Sequence, residues 1–173
     1  MSEIRLIPAS LELEFDIESN DKDGFLREFS NITQNEEDPL GAWLKRAKAR
    51  GETKESDQVL LTLLIELHRK FDDLNERLSG TKKPRINLLG KAQITHINFE
   101  YIKVSEPAFV KDECYYARIL LPMFPVRTLA LFLKAMDDKT CKITRLHEDD
   151  EGDWGAYVAA RERVMIRQMR ANS

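Results

Sequence analysis

The sequence is poor in the residues that build disulfide frameworks, metal sites and membrane spans. Of its 173 residues only two are cysteines, seven are glycines and six are prolines. Cys114 and Cys141 are too few and too isolated for a disulfide framework or zinc ligation. No apolar run approaches the roughly 18 to 20 residues of a membrane span, and Met1 to Arg5 lack the basic start and apolar stretch of a signal peptide. We therefore expect a cytoplasmic protein whose core needs neither disulfides nor metals to fold.

The chain also lacks an excess of positive charge. Lys and Arg total 27 against 30 Asp and Glu, which gives a formal net charge of −3. A protein that binds nucleic acid through bulk electrostatics is expected to carry a basic domain or face. The balance of charges therefore excludes nucleic acid as a partner recognised in this way.

Catalytic and metal-binding motifs are absent as well. The glycines form neither a GxGxxG nor a GxxxxGK pattern, and no serine lies in a GxSxG context. His68, His96 and His147 have no metal-ligand spacing, and the two cysteines are expected to be small core residues. The acidic residues 148–153 lack the ligand spacing of an EF-hand loop, so we interpret them as a solvated loop that leads into a helix, with His147 at the surface beside it. We expect no enzyme activity, no metal and no cofactor.

The N-terminal part predicts a strand followed by short helices. In residues 11–17 apolar and acidic side chains alternate strictly, which is typical of a half-buried strand whose acidic outer face discourages edge-to-edge pairing. Phe25, Phe29 and Ile32 follow at helical spacing. Asp38 and Pro39 are an N-cap and first-turn signature, which opens a short helix that ends near Gly51.

The strongest periodic signal lies between residues 60 and 78. Six large apolar residues are spaced 4, 3, 4, 3, 4, which is an a/d heptad seam over almost three heptads; they are Leu60, Leu64, Leu67, Phe71, Leu74 and Leu78. A helix with such a stripe either packs on its own domain or associates with other copies. Leu61, Leu63 and Ile65 broaden the apolar surface at the N-terminal end, which suits a bundle better than a two-stranded coil. Gly80 and Pro84 end the helix.

The C-terminal half predicts a small antiparallel barrel. Five short strand-like runs, punctuated by Pro, Asp and Lys turns, cover residues 86–97, 99–104, 115–121, 128–134 and 141–146. A helix of about 15 to 18 residues follows, with acidic residues at its start and arginines near its end, as the helix dipole favours.

This half resembles PilZ domains over roughly residues 82 to 170. The resemblance lies in two stretches, the strand–strand–"LP" passage and the acidic turn with an Arg-rich helix that closes many PilZ domains. The first stretch comprises residues 94–98, 101–104 and 118–125, and the second comprises residues 148–150, 156–158 and 161–167. The resemblance implies a six-stranded barrel and a place in bacterial cyclic di-GMP signalling.

The family's ligand signature is incomplete in this chain. It consists of an RxxxR segment before the barrel and a [D/N]xSxxG motif on an early strand. Arg85 has Thr81 and Leu89 at the partner positions, and residues 95–100 contain neither the serine nor the glycine. If the dinucleotide binds, the resemblance implies Lys82, Lys83 and Arg85 as its ligands. We expect poor binding, because two guanidinium groups are needed to pair with the phosphates.

The resemblance extends to PilZ-like proteins in which a heptad-bearing helix assembles the barrels into a tetramer, and this favours self-association of residues 60–78. The sequence thus predicts an α+β protein with an N-terminal strand and short helices (1–51), a heptad oligomerisation helix (52–81) and a PilZ-like barrel with a C-terminal helix (82–173). We expect a homo-oligomer, a tetramer before a dimer. The expected function is that of a non-enzymatic regulatory or adaptor protein of bacterial second-messenger signalling, in motility or surface attachment. The alternative is a direct cyclic di-GMP receptor.

Overall fold

The computed structural model describes residues 4–34, 39–80, 85–123 and 127–172. In chain order the elements are β1 (Ile7–Ile17), a 3-10 turn (Glu18–Asn20), α1 (Lys22–Gln34), α2 (Pro39–Ala49), α3 (Gln58–Ser79), β2 (Gly90–Ile97), β3 (Tyr101–Val104), β4 (Cys114–Leu121), β5 (Arg127–Ala135), β6 (Thr140–Leu146) and α4 (Glu148–Ala171). None of the helices in these ranges combines the length and the apolar character needed to cross a membrane.

The six strands form one closed antiparallel barrel. Their order around the barrel is β1, β2, β3, β6, β5, β4. Each of the five strand-like runs of the C-terminal half coincides with a strand within a few residues. The predicted fold class, α+β with a small antiparallel barrel, is therefore confirmed.

The placement of β1 corrects the predicted domain boundaries. We assigned this strand to a separate N-terminal segment, but it pairs with β2 along most of its length and with β4 through residues 13–17. Its inward side chains Leu11, Leu13 and Phe15 are at most 8% exposed. A half-buried strand needs an apolar surface to cover, and here that surface is the barrel interior, so β1 closes the barrel that the other five strands leave open.

The barrel interior is filled by side chains. Each strand contributes its inward-facing apolar residues, among them Ile94, Ile97, Ile102, Ile119, Leu121, Leu131 and Leu133, all at most 1% exposed. From α4, Trp154 and Val158 are buried in the same core. The barrel is a packed core rather than a container for a ligand.

Helix α1 covers part of the outer barrel wall. The Phe25 ring stacks on Tyr116 of β4 with centroids 4.9 Å apart, and Phe29 meets Phe132 of β5 edge-on at 5.2 Å. The helix begins where the Asp21 carboxylate accepts a hydrogen bond from the Gly24 N–H, at 3.1 Å. This second, smaller core binds α1 to the barrel.

The chain divides into two compact units. One comprises residues 1–32 and 86–173, and the other comprises residues 33–85 with α2 and α3. The short helix predicted through Trp43 and Ala47 is α2, although the predicted N-cap Asp38 lies outside the described residues. The predicted division at residue 51 is wrong, because β1 and nearly all of α1 belong to the same compact unit as the barrel, whereas α2 belongs to the other unit.

Candidate functional site

Helix α3 has a defined beginning and end. The Asp57 carboxylate accepts hydrogen bonds from the N–H groups of Val59 and Leu60, at 2.9 and 3.1 Å, which caps the N-terminus. At the other end Gly80 adopts a left-handed conformation with φ 69°, and its N–H bonds to the Glu76 carbonyl. The 22 residues between these caps span about 33 Å.

The six predicted seam residues lie along one exposed stripe of α3. We call this stripe the seam; its members are Leu60, Leu64, Leu67, Phe71, Leu74 and Leu78. Their exposed fractions range from 53% for Leu64 and Leu74 to 79% for Leu78. A heptad stripe keeps large apolar side chains on one side, and in the single chain that side faces water.

The opposite side of α3 is the covered one. Thr62, Ile65, Glu66, Arg69 and Asp73 are half-buried. At 3.6 residues per turn, these five lie across the helix from the seam. The chain therefore covers the side of α3 that carries polar residues and leaves the apolar side open.

Side-chain pairs one helical turn apart support α3 along its flanks. Arg77 pairs with Asp73 at 3.0 Å and His68 pairs with Asp72 at 3.2 Å, both at a spacing of four residues. Such pairs add a few tenths of a kcal/mol each, about 0.2–0.5. They hold the helix together without covering the seam.

Of the three residues implied as cyclic di-GMP ligands, Arg85 is the one that lies in the described part of the chain. Lys82 and Lys83, like Thr81, lie outside the described residues. Arg85 and Leu89 are exposed, Leu89 by 78%. In the region that replaces the second motif, Phe99 is 59% exposed and Asn98 caps a tight turn.

Sequence reasoning missed an ionic cluster on the barrel wall. The Arg118 guanidinium, 7% exposed, donates to Glu28 of α1 at 2.8 Å and to Glu14 of β1 at 2.9 Å. The Tyr116 hydroxyl donates to the same Glu28 carboxylate at 2.9 Å, and the Ile86 N–H donates to its other oxygen at 2.7 Å. The outer face of β1, predicted as a solvated acidic face, is therefore partly an ion-pairing surface that fixes α1.

The pKa of the Glu14 carboxyl is shifted by this ionic cluster. Its pKa is lowered from 4.5: burial raises it, but hydrogen bonding and charge from Arg118 and then from Lys91 outweigh the burial. Lys91 lies 3.4 Å from Glu14 and is well exposed. Glu14 is thus held as a carboxylate between two cations.

The acidic residues 148–153 are not the solvated loop that we expected. Helix α4 begins at Glu148, and Asp150 in its first turn is 1% exposed, with its carboxylate 2.7 Å from the Arg127 guanidinium. Arg127 also pairs with Asp153. Burial raises the pKa of the Asp150 carboxyl, and the charge of Arg127 partly offsets this effect. The cluster thus attaches the start of α4 to β5.

His147 packs against α1, and Cys141 is buried in the barrel core. The His147 ring stacks on Phe29 with centroids 4.1 Å apart, and its Nε2 lies 2.9 Å from the Phe29 carbonyl, so it is not the surface group that we expected. Burial, followed by the charge of Asp137, raises the pKa of the Cys141 thiol to about 12. A thiol with this pKa stays protonated and is a poor nucleophile. In the described ranges, no group of three or more His, Cys, Asp or Glu residues could hold a metal ion.

No protein-family model and no curated protein matches the chain. Among solved structures, it is similar to a pathogenic protein from Xanthomonas campestris described as a new tetrameric PilZ domain self-assembled via an unusual helical bundle. The match covers 96% of this chain and 92% of that one, at 16% identity and a TM-score of 0.34. Our fold assignment accordingly rests on the closed six-stranded barrel itself.

Proposed function

We propose that this chain is a non-enzymatic, PilZ-like regulatory or adaptor protein that works as a homo-oligomer assembled through α3, with four copies favoured over two. The observation that carries the proposal is the seam, six large apolar side chains that are at least 53% exposed in the single chain. The place in bacterial cyclic di-GMP signalling, in motility or surface attachment, follows from the sequence resemblance.

The energy available from burial of the seam is of the size that association requires. Complete burial of a Leu or Phe side chain is worth roughly 1.5 to 3 kcal/mol. With more than half of each side chain exposed, the six together offer about 5–11 kcal/mol per copy, comparable with the roughly 4–15 kcal/mol that association costs in lost freedom. Caps and ion pairs already order the helix, so little further ordering is needed on assembly.

A bundle of four helices covers this surface better than a pair. Leu61 and Leu63 flank the seam at its N-terminal end, so the apolar surface there is wider than the two-residue stripe of a dimeric coiled coil. Leu63 is 50% exposed. In a four-helix bundle each helix meets two neighbours, and the flanking positions become part of the core.

The residues that flank the seam also favour a parallel arrangement of the helices. Leu61 and Leu63 lie at one end of the helix, whereas Lys70 and Arg77 occupy the matching flanking positions further along. Parallel alignment places the apolar flanks of all copies together. Antiparallel alignment places Leu63 opposite Arg77 and brings Lys70 of one copy next to Lys70 of another, and such like-charge pairs are destabilising.

Cross-linking tests the orientation. In a parallel bundle Leu78→Cys should form disulfides with itself, and so should Leu60→Cys. In an antiparallel bundle these variants cross-link only when mixed, because Leu60 then faces Leu78. The wild-type chain is the control, because it shows any cross-linking through the native Cys114 and Cys141. Of these two, Cys141 is buried.

Substitution at the seam tests the proposal itself. Leu67→Asp combined with Leu74→Asp should give a folded monomer, since each carboxylate would have to be buried among apolar side chains in the assembly. Val59→Asp combined with Leu120→Asp is the matched control, because both residues are exposed, by 69% and 51%, and lie off the seam. Light scattering gives the mass, and circular dichroism reports whether each variant folds. If the seam variant unfolds and the control variant does not, the seam belongs to the chain's own core.

A further inference from the structure

A rigid turn presents an aromatic ring to solvent at one end of the barrel. Phe99, between β2 and β3, is 59% exposed. The Asn98 side-chain oxygen accepts hydrogen bonds from the N–H groups of Glu100 and Tyr101, at 2.8 and 2.6 Å. The Phe99 carbonyl accepts from the indole N–H of the buried Trp154, at 3.3 Å. The turn is therefore fixed before any partner arrives, and an ordered aromatic ring is a typical anchor of a protein interface.

A groove runs beside this ring. It has a volume of about 350 Å³ and lies between the Phe99 turn, β6 and the start of α4. Its lining includes four consecutive residues of β6, from Ile143 to Leu146. Side chains of a strand alternate between two faces. In β6 this alternation is interrupted, because the register against β5 shifts between Ile143 and Arg145, and four residues in succession border the groove along the strand.

One edge of β6 is left without a strand partner in the described residues. β3 pairs with β6 only at Thr140, Cys141 and Lys142, and the Ile143 N–H then bonds to the Glu100 carbonyl at 2.7 Å. The other edge of β6 is taken by β5, as far as Leu146. From Thr144 to Leu146 the strand thus continues along the groove without β3, and such an edge is a template for an added strand.

Carboxylates outnumber cations in the lining of the groove. Glu100 and Glu151 line it; the side chain of Glu100 is 66% exposed and lies 4.0 Å from the Lys142 ammonium. The one cation of the lining, Arg145, lies over the Phe29 ring, with its guanidinium carbon 4.9 Å from the ring centroid. A second hollow of about 410 Å³ on the other side of Phe99 is bordered by Glu162 and by Arg5, whose guanidinium lies 3.9 Å from the Glu162 carboxylate. A ligand at this surface meets carboxylates on both sides of an aromatic ring.

We infer that this surface, the Phe99 groove, binds an extended basic segment of a partner protein. The segment adds as a short strand to β6 at residues 144–146, an apolar side chain packs against Phe99, and Lys or Arg side chains pair with Glu100 and Glu151. The surface lies on the barrel unit and does not involve the seam. Because it belongs to a different compact unit from α3, it gives an adaptor a site for a second protein.

Selection from a library of random short peptides displayed on phage, against the full-length protein, tests this inference. The retained peptides should combine Lys or Arg with one large apolar residue. Phe99→Ala should weaken their binding at least tenfold, as expected for an interface anchor, and Leu120→Ala should leave it unchanged. Selection against the Glu151→Lys variant should no longer retain the basic peptides, because an ammonium group replaces the carboxylate that pairs with them. Proline at alternate positions of a selected peptide should abolish binding, because proline cannot donate to a strand ladder.

Two further measurements separate this inference from the proposed assembly. Hydrogen exchange should slow at the amides of residues 144–146 when a selected peptide is bound. The monomeric variant Leu67→Asp/Leu74→Asp should bind the peptide as well as the wild-type protein does. Failure of the library to yield peptides that prefer the wild-type chain over Phe99→Ala, or protection elsewhere on the barrel, would overturn the inference even if assembly through α3 is correct.

Discussion

Removal of the Arg118 guanidinium is the most informative perturbation of the barrel. In Arg118→Met a side chain of similar length keeps the packing but leaves Glu28, 9% exposed, without a counter-charge. Breaking a buried ion pair on one side typically costs about 3–5 kcal/mol. The Tyr116 hydroxyl and the Ile86 N–H still bond to Glu28, so we place the loss at the lower end, about 3 kcal/mol. For a chain of this size that corresponds to a fall in melting temperature of about 6–12 °C.

Lys91→Ala is the matched control, because it removes a cation from the same cluster at an exposed position. Lys91 lies 3.4 Å from Glu14 and its side chain is 77% exposed. Exposed pairs contribute about 0–1 kcal/mol, so this variant should lose no more than that. Urea denaturation monitored by circular dichroism gives both free energies of unfolding. The double variant Glu28→Gln/Arg118→Met should lose less than Arg118→Met alone, because no uncompensated charge is left.

Equal and small losses for Arg118→Met and Lys91→Ala would refute this reasoning. They would mean that the cluster is hydrated in solution and does not fix α1. Limited proteolysis of α1 is a second readout, and cleavage should accelerate in Arg118→Met but not in Lys91→Ala.

Three further outcomes follow from the structure. Gly90→Ala should destabilise the barrel by about 1–3 kcal/mol in thermal denaturation, because a Cβ there would lie 2.6 Å from the Phe15 ring in a packed core; unchanged stability would show that the ring can move aside. The lowered pKa of Glu14 contributes stability above the ordinary value of 4.5 that is lost as the pH falls, so Glu14→Gln should flatten the acid limb of a stability–pH curve, and parallel curves would contradict this. Cyclic di-GMP should bind no tighter than about millimolar in calorimetry, whereas saturable micromolar binding abolished by Arg85→Ala would favour the receptor alternative.

Local patterns predicted most of the secondary structure. The alternation of residues 11–17 identified β1, and the 4-3 spacing identified α3 with all six seam residues. These elements are encoded by neighbours in sequence, whose periodicity of two or 3.6 residues needs no knowledge of the partner.

Long-range pairings could not be predicted in the same way. Arg118 stands in an apolar strand, and its partner Glu28 is 90 residues away on a helix that packs outside the barrel. Asp150 belongs to an acidic run in which nothing local distinguishes it from its neighbours, yet it is the member that is buried beside Arg127. Burial of a charge depends on which element covers it, and a single sequence contains no direct record of that contact.

The Phe99 groove illustrates the same limit. From the sequence alone, residues 95–100 are only a segment that lacks the serine and the glycine of a ligand motif. The role of Phe99 in the turn depends on Trp154, 55 residues later, and the open edge of β6 depends on the short length of β3. The role of this segment therefore becomes visible only in the assembled barrel.

The mass of the wild-type protein in solution tests the central claim most directly. Light scattering at tens of micromolar should give about 80 kDa, four times the 20.1 kDa of one chain. The same measurement with added cyclic di-GMP should give the same mass, since assembly depends on the seam alone. A mass of 20.1 kDa, that of a single chain, would contradict assembly through α3.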